Sequence, residues 1–228
     1  MDNEKTLKRA NFHEMVTLLR GSLGEPEKLH RASPLSRCNT SLEVLLATIL
    51  TQATSDKNAL QAWENFKKSF PTLDLVLAQD ESVLYHAILP SGLTAQKAKT
   101  IRGVLQSVHH HFGEFSLDKL SGKAKLARDF LDYLPGIGPK TAACTLLFGL
   151  KLPAFPVDVH INRIAIRTGL VPPKTNPIKA QELLENEVPV ELQADLHILL
   201  LNLGRTHCRP RNPDCPHCPI QEMCGKIQ

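Results

Sequence analysis

Four cysteines, Cys208, Cys215, Cys218 and Cys224, stand at the spacing C-x6-C-x2-C-x5-C in a stretch rich in Pro, Arg, Asn and Asp. Four thiolates that close together, in a segment too polar to bury a core, need something between them to order it. The choices are zinc or an iron–sulfur cluster, and the local sequence leaves both open. A disulfide framework is the bland alternative. Against it, the start MDNEKTLKRANFHEMV is charged and lacks the apolar stretch of a secretory leader. No run approaches the roughly eighteen apolar residues of a membrane span. The expectation is a soluble cytoplasmic protein in which disulfides would be reduced. Cys38 and Cys144 have no near partners, and Cys144, within AACTLLFGL, reads as a small core residue.

The second constellation is Leu134-Pro135-Gly136-Ile137-Gly138-Pro139-Lys140. Two glycines two apart allow a tight turn with positive φ, and Pro139 is pre-set for the first position of a following helix. Such a turn leaves backbone N–H groups at a helix N-terminus, where a phosphate can sit. A plain helix–helix turn is the alternative for an isolated G-x-G. Eighteen residues after Lys140 comes Pro156-Val157-Asp158-Val159-His160, with Asp158 opening another helix. Asp in that place is an N-cap worth about 1 kcal/mol. Capping does not exclude chemistry, because a carboxylate held rigid by backbone N–H groups can face a developing positive charge.

Helical periodicity runs through nearly the whole chain, and no segment alternates like a strand for long. Thr40-Ser41-Leu42-Glu43 is a capping box opening a helix with a Leu42, Leu45, Leu46, Ile49 stripe. A second helix runs from about Asp56 to Phe70, with Ser55 as N-cap and Pro71 as stop. Further helices fit about 81–89, 95–112, 123–133, 140–150, 159–168, 177–187 and 191–203, with Gly or Pro at most boundaries. At 228 residues and 42% hydrophobic the chain can bury a sizeable core as one all-α body or two lobes. Net charge is +4, a mild tilt toward polyanions. From Arg205 onward Arg205, Arg209, Arg211 and Lys226 outnumber Asp214 and Glu222, so the cysteine loop is basic enough to meet a phosphate backbone.

The hairpin LPGIGPKTA, the VDVH motif, the earlier LTQAT and the terminal cysteine set occur together in one order and spacing. Over roughly residues 35–225 they resemble the endonuclease III family of helix-hairpin-helix DNA glycosylases. The resemblance implies a two-lobed fold: a six-helix barrel at 33–152 containing the helix-hairpin-helix, and a discontinuous iron–sulfur lobe from 1–32 and 153–228. In that second lobe an N-terminal helix joins the C-terminal ones. The resemblance also implies a [4Fe–4S] cluster on Cys208, Cys215, Cys218 and Cys224, with damaged or abasic double-stranded DNA as the partner. The chain is expected to act as a monomer, nucleoid-associated if bacterial. Gly136, Ile137 and Gly138 would hold a DNA phosphate, Lys140 would be the nucleophile and Asp158 its electrostatic partner. Gln52 matches the glutamine that fills the space of a flipped base. Leu93 matches the leucine that wedges into the stack, and Arg209 and Arg211 are placed to meet phosphates.

The chemistry supports those assignments on its own terms. Excising a base breaks a C1′–N bond through a cationic sugar, whose charge a carboxylate opposes. An amine can then trap C1′ as a Schiff base and allow β-elimination of the 3′ phosphate. The expected activity is therefore a bifunctional DNA glycosylase and abasic-site lyase for oxidised pyrimidines. A monofunctional glycosylase for alkylated or mismatched bases, or a non-catalytic DNA-binding module, are the alternatives. Two features depart from the family pattern. Between Gly113 and Leu134 the chain is longer than the bacterial type by about nine residues, read as an extra helix near Lys123–Tyr133. The segment Gln52-Ala53-Thr54-Ser55-Asp56 also carries one inserted residue before its acid. The run His109-His110-His111 cannot converge on one ion from adjacent helical positions and reads as a solvated helix end. His160 and His197 read as structural.

Overall fold

The computed structural model describes residues 11–225; residues 1–10, with the charged start, and 226–228, with Lys226, lie outside the described residues. Among the described residues every regular element is helical. In chain order the helices are α1 Phe12–Leu23, α2 Pro26–His30, α3 Ser41–Thr51, α4 Asp56–Ser69, α5 Asp74–Ala78 and α6 Glu81–Ile88. There follow α7 Thr94–Phe112, α8 Ala124–Tyr133, α9 Pro139–Cys144, α10 Val159–Thr168, α11 Pro177–Glu187 and α12 Gln193–Thr206. Contacts divide them into two compact units: His30–Pro153, and the described residues up to Leu29 together with those from Ala154 onward. None of the helices is long and apolar enough to cross a membrane.

In the His30–Pro153 unit the capping box forms. Thr40 Oγ1 accepts from the Glu43 N–H at 3.2 Å, while the Glu43 carboxylate accepts from the Asn39 N–H at 2.7 Å, one residue earlier than the usual reciprocal bond. Glu43 also pairs with Lys67 on α4. The sequence stripe Leu42, Leu45, Leu46 and Ile49 is buried, but so is every residue from Ser41 to Leu50. Thus α3 is a central helix, surrounded by its neighbours rather than lying on the surface. Ser55 caps α4 through its hydroxyl on the Asn58 N–H at 3.2 Å, and Trp63, Phe66 and Phe70 stack along its buried face. The helix expected near Lys123–Tyr133 forms as α8, which leads into the glycine turn, buries Ala127, Phe130 and Leu131 and packs Phe130 on Phe112 of α7.

One expectation is corrected here. Residues 140–150 do not form a single α-helix: after α9 the backbone widens into a π-helical turn at Thr145–Gly149, with Leu150 N–H on Thr145 O at 2.9 Å. The wider turn seats Gly149 directly on α3, where an added Cβ would lie 3.2 Å from Ser41 Cα and O. Periodicity carries no information on such a backbone approach.

In the other unit α1 is capped by Asn11, whose side chain accepts from the Glu14 N–H at 3.1 Å. It buries Phe12, Met15, Val16 and Leu19, an i, i+3, i+4, i+7 set, in a core with Ile161 and Ile164 of α10, Leu184 of α11 and Leu196 to Leu203 of α12. Arg20 of α1 pairs with Asp195 of α12. A short 3₁₀ turn at Val190–Leu192 delays the start of α12 to Gln193, two residues later than the periodicity suggested. The Gln193 side chain is fully buried, accepts from the Ala154 N–H at 2.9 Å and donates to Val188 O at 3.3 Å.

Candidate functional site

The hairpin between α8 and α9 is shaped by contact with α7. Gly136 has φ +73, and a Cβ there would fall 2.6 Å from Thr100 Oγ1 and 3.1 Å from Thr100 Cγ2. Beside it, a Cβ on Gly103 would fall 3.0 Å from the Pro135 ring. Both glycines are needed for the turn to lie this low on α7. Only Gly136 is left-handed; Gly138 is extended at φ −93 and ψ 170, with open space where a Cβ would stand. Gly138 opens α9 by accepting from the Thr141 and Ala142 N–H groups at 2.9 and 3.0 Å.

The resemblance assigns a DNA phosphate to Gly136, Ile137 and Gly138, and the structure shows how the three amides differ. Ile137 donates its N–H to Leu134 O at 3.3 Å and is buried, pinning the turn from inside. The Gly136 and Gly138 N–H groups make no hydrogen bond among the described residues, and both glycines are exposed. Pro139 has no N–H to offer, so the unpaired amides of the turn are those of the two glycines. Lys140 stands half-buried at the second position of α9.

Gln52 ends α3 and is half-buried, donating its side-chain amide to Thr141 Oγ1 at 3.1 Å. Thr141 is the neighbour of Lys140 on α9, so the Gln52 loop is tied to the helix that carries the lysine. The chain then turns left-handed at Ala53, φ 50. Leu93 precedes α7 in a left-handed conformation, φ 48, and is 57% exposed. Between these two loops lies Lys97, buried, with Nζ on Leu50 O at 3.0 Å and on Ser91 O at 2.7 Å.

In the other unit Asp158 is the N-cap of α10, its Oδ1 accepting from the Ile161 N–H at 2.8 Å. Asp158 is half-buried, and Oδ2 takes no hydrogen bond among the described residues. Further along α10, Arg163 donates to Cys208 O at 2.7 and 2.9 Å and to Gly204 O at 2.9 Å. One turn on, Arg167 donates to Cys208 Sγ at 3.4 Å, Arg209 O at 2.8 Å and Pro210 O at 3.1 Å. The helix that Asp158 opens is thereby fixed to the cysteine loop. His160 packs on Gly204, where a Cβ would be 2.7 Å from its own, and is a structural residue, as is His197 on Pro156 O at 2.9 Å.

Cys208, Cys215, Cys218 and Cys224 line one cavity of about 60 Å³, together with Ile164, Leu203 and Ile220. Among the described residues no three His, Cys, Asp or Glu side chains converge on the point that a single ion would occupy. Burial raises the Cys218 thiol above the ordinary cysteine range, and Cys208, Cys224 and Cys215 push the same way. Arg209 and Arg211 are exposed on this loop. The histidine run is exposed at the end of α7, where His109 and His111 pack on Phe115 and Phe130.

All of the sequence-derived candidates are thus described, each on its own unit. Thr100, Gly103, Lys97, Arg163 and Arg167 were missed, because their importance comes from what they touch. A buried lysine or a helical glycine in contact leaves no local signature.

A fold of short helices carrying a glycine turn, a capped aspartate and a four-cysteine loop defines a class in which a helical hairpin presents backbone amides. The sequence profile described as "HhH-GPD superfamily base excision DNA repair protein" matches residues 46–190. Endonuclease III of Thermotoga maritima is 33% identical over 182 residues, covering 79% of this chain and 81% of its own. Endonuclease III of Sulfolobus acidocaldarius is 32% identical over 182 residues, covering 79% of each. A longer Arabidopsis thaliana protein, 33% identical over 165 residues, is spanned for 56% of its length. Among solved structures, a non-covalent endonuclease III–DNA complex superposes with TM-score 0.75 at 23% identity, covering 95% of this chain and 96% of that one. A thermostable thymine-DNA glycosylase gives 0.77 at 19%, covering 94% and 95%. The chain belongs to the HhH-GPD superfamily of base excision DNA repair proteins, and within it to the endonuclease III family of DNA glycosylases.

Proposed function

We propose that the protein is a bifunctional glycosylase and abasic-site lyase that acts on duplex DNA as a monomer, with oxidised pyrimidines as its substrates. The observation that carries the reading is Lys140, a half-buried amine one residue past Pro139 on a turn whose Gly136 and Gly138 amides are unclaimed. A phosphate bound on those amides brings the sugar it esterifies to the lysine. The amine attacks C1′ and displaces the base, the C1′–O4′ bond opens with O4′ taking a proton as the aminal becomes an imine, and the imine acidifies the C2′ proton, whose loss expels the 3′ phosphate. Asp158 opposes the positive charge on the sugar, with its Oδ1 held by the helix cap and Oδ2 free to face it. Gln52 fills the space the flipped base leaves, and Leu93 wedges the stack. A solved structural neighbour, 23% identical, is described as a trapped endonuclease III–DNA covalent intermediate, and a covalent route is the one proposed for this chain.

The resemblance favours a [4Fe–4S] cluster over zinc, and the four thiols that line one cavity are donors such a cluster takes. Cys208, Cys215, Cys218 and Cys224 would hold it. When bound, the cluster supplies four metal–thiolate links that order the loop, leaving Arg209 and Arg211 to meet phosphate. The test is borohydride reduction in the presence of an abasic-site duplex. A covalent complex is expected for the wild type and none for Lys140→Ala, with duplex affinity retained. A trapped yield unchanged in Lys140→Ala defeats the assignment, and base excision without any trapped complex would mark a monofunctional enzyme. Iron and sulfide analysis against zinc analysis decides the cluster.

A further inference from the structure

Lys97 is 1% exposed, at the first turn of α7, and no acidic side chain meets its ammonium among the described residues. Its two partners are backbone carbonyls far apart in sequence. Leu50 O belongs to the last turn of α3, where carbonyls have no helical donor, and Ser91 O closes the short 3₁₀ turn Leu89–Ser91. Each anchor lies two residues before a side chain of the candidate site: Leu50 before Gln52, Ser91 before Leu93. Just beyond the anchors the backbone turns left-handed, at Ala53 with φ 50 and at Gly92 and Leu93 with φ 67 and 48. The side chain therefore bridges two strained loops at their roots.

We propose that Lys97 is a positioning residue that fixes the Gln52 loop and the Leu93 loop relative to each other, so that the two side chains enter a duplex as one unit. This rests on the DNA-probing role given to Gln52 and Leu93 above. An apolar side chain of the same length would fill the space without the cost of desolvating an ammonium, so what the ammonium adds is geometry. Two charge-assisted bonds onto carbonyls with no other helical donor hold both loops against α7 before DNA arrives, and the cost of ordering them is not charged to binding. Burial brings the lysine down to about 8, in keeping with an ammonium held in place without a counter-ion.

The test compares wild type, Lys97→Met and Lys97→Arg on two duplexes, one carrying a tetrahydrofuran abasic analogue and one undamaged. Discrimination is the ratio of the two dissociation constants. With the charge-assisted bonds lost, Lys97→Met is expected to lose about tenfold in discrimination. Its borohydride trapping at saturating abasic DNA should stay within about threefold of wild type, since Lys140 is untouched. Lys97→Arg, which keeps donors for both carbonyls, should recover most of the loss. Fluorescence of 2-aminopurine opposite the lesion, read with the duplex saturated by protein whose active fraction is counted by borohydride trapping, should fall in step with discrimination, a change that loss of folded protein does not produce under those conditions. If Lys97→Met does not fold, Lys97→Gln takes its place with the same expected loss; if neither folds, the lysine is a requirement of the fold and the proposal fails. Discrimination unchanged in Lys97→Met while Gln52→Ala and Leu93→Ala lose it overturns the positioning role alone. Discrimination unchanged in all of them overturns the DNA-probing reading beneath it.

Discussion

Replacing Gly136 by alanine tests how the turn between α8 and α9 is made. Alanine at φ +73 costs about 1–2 kcal/mol for its left-handed backbone. Its Cβ would also stand 2.6 Å from Thr100 Oγ1 and 3.1 Å from Cγ2, an overlap with a β-branched side chain on a rigid helix. Overpacking of that kind costs about 1–3 kcal/mol, giving roughly 2–5 in all. For a chain of this size each kcal/mol moves the midpoint by roughly 2–4 °C, so thermal unfolding should fall by about 4–20 °C. The two contributions separate in a double-mutant cycle. In a Thr100→Ala background both offending γ atoms are gone and the remaining Cβ stands at 3.4 Å, an ordinary contact. There Gly136→Ala should cost only the backbone part, leaving a coupling of about 1–3 kcal/mol. Differential scanning calorimetry of the four proteins reads this directly. Affinity for an abasic-site duplex should track the backbone part, since rotating the turn re-aims the Gly136 amide. A Gly136→Ala protein that melts with wild type, or a cycle with zero coupling, refutes the claim that α7 shapes the hairpin.

Asp158→Asn keeps the helix cap, because Asn caps as well as Asp, but removes the charge; the melting temperature should stay near wild type while excision falls about a hundredfold or more. Asp158→Ala should lose the same activity and about 1 kcal/mol of stability besides, so equal melting of the two variants would count against the cap. Lys97, lowered to about 8 from 10.5, is charged in both states below pH 8; between these values the folded protein releases a proton that the unfolded chain keeps, so stability rises with pH across the window. The rise should vanish from urea melts of Lys97→Met, whereas identical slopes for the two proteins would contradict a depressed lysine. Cys218→Ala should abolish the visible absorption of an iron–sulfur centre and lower the stability of the α10–α12 unit, read by hydrogen exchange at Ile164 and Leu203; a coloured, unaltered variant would remove Cys218 from the donor set.

Much of the site was legible because its residues sit at helix ends, where sequence constrains geometry most tightly. Thr40 and Ser55 cap the helices they were expected to cap, Asp158 opens α10, and the hairpin glycines lie between two helices. The four cysteines, close in sequence, also line one cavity, since short loops leave them little freedom. The π-helical turn at Thr145–Gly149 was not legible, and neither was the complete burial of α3, which a four-residue stripe understated.

What the sequence by itself determined was the set of local elements and the chemical groups at their ends, because caps, turns and ligand spacing act over a few residues. Only the tertiary structure decided which turn amides are free, that Gly136 and Gly103 are glycines to let the hairpin rest on α7, and that Lys97 joins two loops 41 residues apart in sequence from Leu50 to Ser91. These depend on approaches between backbone atoms of distant segments, and the physical reason they escape the sequence is that close packing is a property of pairs of surfaces rather than of either one.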